Sequence, residues 1–107
     1  MTINKTKINQ AAGFLKVISH PTRIEIIMML DAKGELTVSQ ICTKLGVEQS
    51  LVSHHLASMR RKGVLEATRD GINIYYSIKA PVVLDIISKA SVKLNAASKG
   101  NFKALRA

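Results

Sequence analysis

The apolar residues of this chain recur at helical spacing over its first and last thirds and alternate with polar residues in between. A stripe of apolar side chains predicts a first helix over residues 4–18, because positions three and four apart share one helix face. Residues 21–31 are apolar on nearly every side, which predicts a second, buried helix with Pro21 in its first turn. A third stripe predicts a final helix from about residue 81.

Two short helices are predicted between these segments, joined by a tight turn. The first covers Thr37 to Leu45 and starts with a capping box, in which Thr37 and Gln40 each satisfy a backbone N–H. Gly46 follows as its C-terminal stop, and the second helix begins near Gln49. A helix, a glycine turn and another helix predict a helix-turn-helix, whose second helix typically enters the major groove of DNA.

The second of these helices is amphipathic, with a small polar face. Its apolar side is predicted to carry Leu51, Val52, His55, Leu56 and Met59, and its polar side Ser50, Ser53, His54, Ala57 and Arg61. Small polar side chains allow a helix to approach another surface closely, and the run Arg60, Arg61 and Lys62 adds positive charge at its end. His55 is predicted to be a packed, hydrogen-bonded core residue, whereas His54 points outward.

After Gly63 the pattern changes to a period of two, through VLEATR and INIYYSI, with Asp70-Gly71 between them. Asp-Gly between β-rich runs predicts a hairpin whose turn has positive φ at both central residues. Arg69 would lie at the hairpin tip. A hairpin directly after a recognition helix is a wing, so the predicted fold is mainly α with a small β-wing: a winged helix-turn-helix of about five helices and two or three strands.

Length and charge agree with this interpretation. The 107 residues suit a single domain, 1–107, with a tail over 99–107 that we expect to fray. Sixteen Lys and Arg against seven Asp and Glu give a net charge of +9, as expected of a nucleic-acid binder. The longest apolar run, IIMML, is too short to span a bilayer, and no secretion signal opens the chain, so we expect a cytoplasmic protein without a membrane partner.

These patterns define two candidate sites. The residues expected to contact DNA are Gln49, Ser50, Ser53, His54, Arg60, Arg61, Lys62 and Arg69. The residues expected to form a homodimer interface lie on the first and last helices: Ile8, Leu15, Val83, Ile86, Ile87, Ala90 and Leu94. The last helix is assigned to the interface because the first four helices already form a core, so its apolar stripe is expected to meet its copy on another subunit.

The motifs HPTR, SLVSHHLASMRRKGVL and IYYSI, in this order, resemble the ArsR/SmtB (arsenical-resistance-repressor) family of winged-helix transcription regulators, over roughly residues 8–98. The resemblance implies a homodimer built from the first and last helices. It also implies binding to an inverted repeat near a promoter, usually as a repressor, with DNA affinity lowered by an inducer such as a metal ion or an oxidant.

The identity of the inducer is left open by the sequence. Soft-metal members of that family carry cysteines in an ELCVC-like stretch, where this chain has Thr37 and Ser39, and hydroxyls do not replace thiolates for soft metals. The last helix offers Asp85 but no histidine for zinc. We therefore expect no metal site and no cofactor. Cys42 is the single cysteine; we interpret it as a small buried hydrophobe, with a thiol-based redox regulator as the alternative.

Two other classes of protein are rivals to a DNA-binding regulator, namely an enzyme and a protein-interaction module. An enzyme is not expected, because no carboxylate pair, glycine-rich phosphate loop or nucleophile with a base is found outside the helix-turn-helix. A winged helix used only for protein contacts is an alternative, since fold does not determine function. Such a module would expose apolar residues on its second helix, whereas this one is predicted to present Ser50, Ser53, His54 and Arg61. Duplex DNA is therefore the expected partner.

Overall fold

A computed structural model describes the backbone of residues 4–97 and the side chains of residues 4–91. The predicted fraying of residues 99–107 lies outside this range. Within it the elements follow one another as α1 (Lys5–Ile18), α2 (Pro21–Lys33), β1 (Leu36–Thr37), α3 (Val38–Leu45), α4 (Gln49–Arg61), β2 (Leu65–Asp70), β3 (Asn73–Ile78) and α5 (Val82–Ala97). Five helices and a small β-element are thus confirmed for the described part of the chain.

The strands form one antiparallel sheet in the order β1-β3-β2. Leu65 pairs with Ile78 at the base of the hairpin, and the short strand β1 pairs Leu36 with Tyr76 on the other side of β3. Through β1 the wing is joined to the residue pair that immediately precedes α3. The hairpin is therefore fixed directly against the helix-turn-helix rather than extending from it alone.

The two ends of α3 are formed as the sequence predicts. The Thr37 hydroxyl accepts from the backbone N–H of Gln40 at 3.2 Å, and the Gln40 side chain accepts from the backbone N–H of Thr37 at 2.9 Å. Gly46 ends the helix with a left-handed φ of 67°, a conformation that glycine adopts without steric cost. The capping box and the glycine stop are confirmed, and they set the angle at which α4 begins.

The hydrophobic core joins all five helices to the wing. Its fully buried large side chains are Ile26, Ile27, Leu30, Ile41, Val52, Leu56, Met59, Val64, Leu65 and Val83. Each such side chain contributes about 1.5–3 kcal/mol relative to an exposed position. Three of them lie on α4, so the recognition helix is held by the core along one whole face.

Three apolar positions differ from the sequence-based expectation. Met28 is 46% exposed, because α2 packs on α4 and the sheet but turns its third side to a groove beside α5. Leu51 is 50% exposed near the start of α4, so it does not belong to the buried face. Val83 is fully buried in the chain's own core, so its assignment to the dimer interface is wrong.

The wing turn also differs from the prediction. Asp70 pairs with Asn73, which leaves Gly71 and Ile72 as the two turn residues. Gly71 has a φ of 64°, whereas no residue other than glycine has positive φ in the described chain, so only the first turn position is left-handed. Ile72 is β-branched and disfavours positive φ, so the turn places glycine at the position that requires it and isoleucine at the next. Arg69 lies within β2, opposite Ile74, and not at the tip.

Candidate nucleic-acid interface

The helix α4 presents one polar face to solvent. Ser50, Ser53 and His54 are exposed, while Val52 and Leu56 on the opposite side are fully buried. Gln49 and Arg60, at the two ends of the helix, are exposed as well. Because the buried side is fixed in the core, the orientation of the polar side is fixed too. Small side chains along it leave the helix backbone accessible to a close-fitting groove.

The N-terminus of α4 has no side-chain cap. Glu48 occupies the N-cap position but makes no capping hydrogen bond; its carboxylate instead accepts from the Ser50 hydroxyl at 2.8 Å. The first backbone N–H groups of a helix have no partner within the helix and favour anions. At this helix start the Glu48 carboxylate already supplies the negative charge and would repel a phosphate, so the exposed side chains here are better suited to base edges. Sequence reasoning missed Glu48, although its spacing of two residues from Ser50 is visible in the sequence.

A polar network anchors the middle of α4 to the first two helices. The Arg23 side chain on α2 donates through Nε to Nδ1 of His55 at 3.0 Å and through Nη1 to the Val17 carbonyl at 3.0 Å. His55 is 8% exposed, so the prediction of a packed, hydrogen-bonded histidine is confirmed. Arg23 thereby joins the C-terminal turn of α1 to α4. The HPTR motif that contains it thus has a structural role that the sequence did not reveal.

Two further histidines lie near His55. His20 caps α2, its Nδ1 accepting from the backbone N–H of Thr22 at 3.1 Å, and its ring centroid lies 4.6 Å from that of His55. The His54 ring lies 5.9 Å from His55 on the exposed side. Burial lowers the pKa of His55 below its usual value, and the neighbouring Arg23 and histidines act in the same direction. His55 is therefore neutral at pH 7, with Nδ1 as the acceptor.

The basic run at the end of α4 is divided between two directions. Arg61 donates through Nη2 to the Ser58 hydroxyl at 3.3 Å. The side chain of Lys62 lies against α1 at Gly13, where its Nζ would be 3.5 Å from the Cβ of any larger residue. Arg61 and Lys62 both line a cleft toward α1, whereas Arg60 does not. The three charges were predicted to act together, but Arg61 and Lys62 face the cleft beside α1 and Arg60 lies outside it.

The wing adds a second exposed surface beside α4. Arg69 is exposed on β2, and Ile72 at the turn is 96% exposed. Ile74 on β3 is exposed as well, at 39%, and isolated apolar side chains on a surface are common. The exposed surface of α4 and the wing is therefore polar and basic, with three apolar side chains within it: Leu51, Ile72 and Ile74.

An apolar groove lies between α1 and α5, away from the wing. It is lined by Leu15, Ile18, Ser19, Ile24, Ile86, Ile87, Ala90 and Ser91. Leu15 is 49% exposed in it, and Ile8, about two turns earlier on the same face of α1, is 52% exposed. The side chain of Leu94, also predicted for the dimer interface, lies outside the described residues.

Inducer chemistry has few candidates in the described chain. No group of three His, Cys, Asp or Glu side chains that could hold a metal ion is present among the described residues. Cys42 packs against the core but is only half-buried, so it is less buried than predicted. Within the same residues, no helix combines the length and apolar character that crossing a membrane requires.

A helix-turn-helix with a buried and a polar side on its second helix, followed directly by a β-hairpin, defines a winged-helix DNA-binding domain. Residues 20–67, which contain the helix-turn-helix and the start of the wing, match the model of "Bacterial regulatory protein, arsR family".

Individual relatives agree with that match. The chain is 42% identical to the transcriptional repressor PagR of Bacillus anthracis over 79% of its own length and 85% of that protein. It is 30% identical to the cadmium resistance transcriptional regulatory protein CadC of Listeria innocua, over 79% and 82% of the two chains. The crystal structure of PagR superposes with a TM-score of 0.73 at 40% identity, covering 81% of this chain and 99% of that one.

The crystal structure of NolR from Sinorhizobium fredii superposes equally well, with a TM-score of 0.73 at 32% identity over 85% and 93% of the two chains. The chain belongs to the arsR family of bacterial regulatory proteins. It is a DNA-binding transcription regulator with a winged helix-turn-helix, as its sequence predicts.

Proposed function

We propose that this protein is a dimeric repressor that binds an inverted repeat near a promoter and is released by an inducer. The observation that carries the proposal is the exposed polar face of α4, whose opposite side is fixed in the core. PagR, which shares 42% identity with this chain, is itself described as a transcriptional repressor. We place the action of this protein in the cytoplasm, because bacterial DNA, its proposed partner, lies in that compartment.

We assign base recognition to the N-terminal half of α4. Gln49, Ser53 and His54 are exposed there and carry the amide, hydroxyl and imidazole groups that contact base edges in the major groove. Ser50 lies at the same end, where its hydroxyl is held by Glu48. These side chains would select the DNA sequence.

Phosphate contacts are assigned to the basic residues around that face. Arg60, exposed at the end of α4, and Arg69, exposed on the wing, lie outside the cleft beside α1. Arg61 and Lys62 are oriented toward that cleft and would reach a phosphate only along its rim. Contacts of this kind position the protein on the duplex and contribute affinity without selecting sequence.

The groove between α1 and α5 supports a dimer. Its lining is apolar, and the exposed Ile8 and Leu15 and the half-buried Ile86 and Ile87 would be covered by a second copy. Ala90 leaves room for close helix approach. Two recognition helices must be held about 34 Å apart to enter successive major grooves, and a dimer achieves this.

The experiment that tests the proposal is a titration of DNA at several salt concentrations. Fluorescence anisotropy with a duplex from the gene's own upstream region is expected to show binding of one dimer. Log affinity should fall linearly with log salt, with a slope of about 0.9 per neutralised phosphate. Lys33→Gln, which removes an exposed charge at the end of α2, serves as the control and should leave the slope unchanged. Binding to no upstream fragment, or binding that salt does not weaken, would contradict the proposal.

A further inference from the structure

Basic side chains from three helices converge on one cleft between α1 and the C-terminal turn of α4. Lys16 comes from α1, Arg23 from α2, and Arg61 and Lys62 from the end of α4. The volume of this basic cleft is about 380 Å³. Pockets for small molecules span roughly 300–1,000 Å³, so the cleft has room for more than a single ion.

The charges in the basic cleft have no anionic partner among the residues that line it. Those residues include neither Asp nor Glu in the described chain. Arg23 donates to a carbonyl and an imidazole, and Arg61 donates to the Ser58 hydroxyl, so both are held by neutral acceptors. Four cations around one cavity repel one another, and an anion placed among them relieves that repulsion.

Two features make the arrangement suitable for one class of anion. The guanidinium groups of Arg23 and Arg61 are oriented before any ligand arrives, which reduces the entropy lost on binding. Guanidinium N–H groups match the oxygen geometry of phosphate, and Arg23, which already donates through Nε and Nη1, would contribute mainly through Nη2. A phosphate monoester carries about −1.5 to −2 charge at neutral pH. A monoanion such as chloride would compensate less of this charge.

We propose that the basic cleft binds a phosphate group. A phosphorylated small molecule presents it as a monoester with nearly two negative charges, whereas the DNA backbone presents the same oxygens in a diester with one. Arg61 lies eleven residues beyond Ser50, about 16 Å along the helix axis from the end assigned to base recognition. An anion bound in the cleft joins α1, which carries part of the apolar groove, to α4. As a site for a phosphorylated small molecule the cleft goes beyond the proposed function, and the first test requires no DNA. As a site for a backbone phosphate it rests on the proposed function and adds Lys16 and Arg23 to the contacts.

The first test is a calorimetric titration of the DNA-free protein with inorganic phosphate and with pyrophosphate, at an ionic strength held constant with chloride. Saturable binding is expected for wild type, for Lys16→Arg and for the control Lys33→Gln. Lys16→Gln should bind about tenfold more weakly, because one cation about 5 Å from a dianion contributes roughly that factor even in water. Urea unfolding of each variant establishes that Lys16→Gln is folded.

The second test repeats the salt titration of DNA binding with the same variants. If free phosphate does not bind, but Lys16→Gln lowers the salt slope by about 0.9 and Lys33→Gln does not, then the occupant is a phosphate of the DNA backbone. The inference is overturned if Lys16→Gln matches Lys33→Gln in both tests. It is also overturned if Lys33→Gln weakens phosphate binding as much as Lys16→Gln, because the effect would then follow net charge alone.

Discussion

Replacing Arg23 by methionine removes the polar connection between α1 and α4 while keeping an unbranched apolar stem in place. Two hydrogen bonds are lost, and their acceptors are the Val17 carbonyl and Nδ1 of His55. Val17 and His55 are only 7% and 8% exposed, so water reaches these acceptors poorly. A buried acceptor left without a donor costs about 1–3 kcal/mol, which gives roughly 2–4 kcal/mol for the pair after allowance for the partial exposure of Arg23.

The assay is equilibrium unfolding in urea at one fixed protein concentration, since dimerisation makes apparent stability depend on concentration. With a slope of about 1–3 kcal/mol per molar urea, the midpoint of Arg23→Met should fall by about 0.7–4 M at an unchanged slope. Lys33→Met, at an exposed position on the same helix, should change stability by no more than about 0.5 kcal/mol.

A double-mutant cycle isolates the interaction with His55. Removing both partners, in Arg23→Met with His55→Phe, should cost less than the sum of the single changes, because no orphaned acceptor remains on α4. The reasoning would be refuted if Arg23→Met were as stable as Lys33→Met. It would also be refuted if the two changes were additive, since Arg23 would then not act through His55.

The remaining predictions concern the dimer, pH and the wing. Ile87→Asp should give a monomer with greatly reduced DNA affinity, whereas Ser88→Asp, at an exposed position on the same helix, should stay dimeric in light scattering. Folding lowers the pKa of His55, so the stability that the neutral imidazole contributes is present above about pH 6.5 and is lost as pH falls through the folded-state pKa. His55→Gln should therefore flatten the decline of stability with falling pH, as measured by urea unfolding. Arg69→Ala should weaken anisotropy-measured binding to all duplexes alike, and a shifted sequence preference would contradict it. Ile72→Ser should leave the thermal midpoint unchanged, because the side chain is 96% exposed.

Local signals in the sequence predicted the elements that place the recognition helix. The capping box from Thr37 to Gln40 and the stop at Gly46 depend only on residues a few positions apart, and both are present as predicted. The apolar period of α4 correctly located Val52, Leu56 and Met59 in the core. Such features are readable because neighbouring residues determine them.

Features that depend on distant contacts could not be read in the same way. Arg23 and His55 are 32 positions apart, and nothing local indicates that they meet. Periodicity placed Val83 and Leu51 on apolar stripes but could not tell which neighbour, if any, would cover them. One is buried in the chain's own core and the other is half exposed. The predicted turn, centred on Asp70 and Gly71, lies one residue before the observed turn at Gly71 and Ile72. The register of the hairpin is fixed by the pairing of Asp70 with Asn73, and not by the Asp-Gly dipeptide.

The central claim is that the exposed face of α4 selects the DNA sequence. It is tested most directly by selecting preferred duplexes from a random pool with wild type, Ser53→Ala, Gln49→Ala and the control Lys33→Gln. Ser53→Ala and Gln49→Ala are expected to change the preferred bases within each half-site, with a loss of about 1–3 kcal/mol of discrimination at the contacted positions. Lys33→Gln should select the wild-type sequence. The same selected sequence from all four proteins would contradict the claim that α4 reads the DNA.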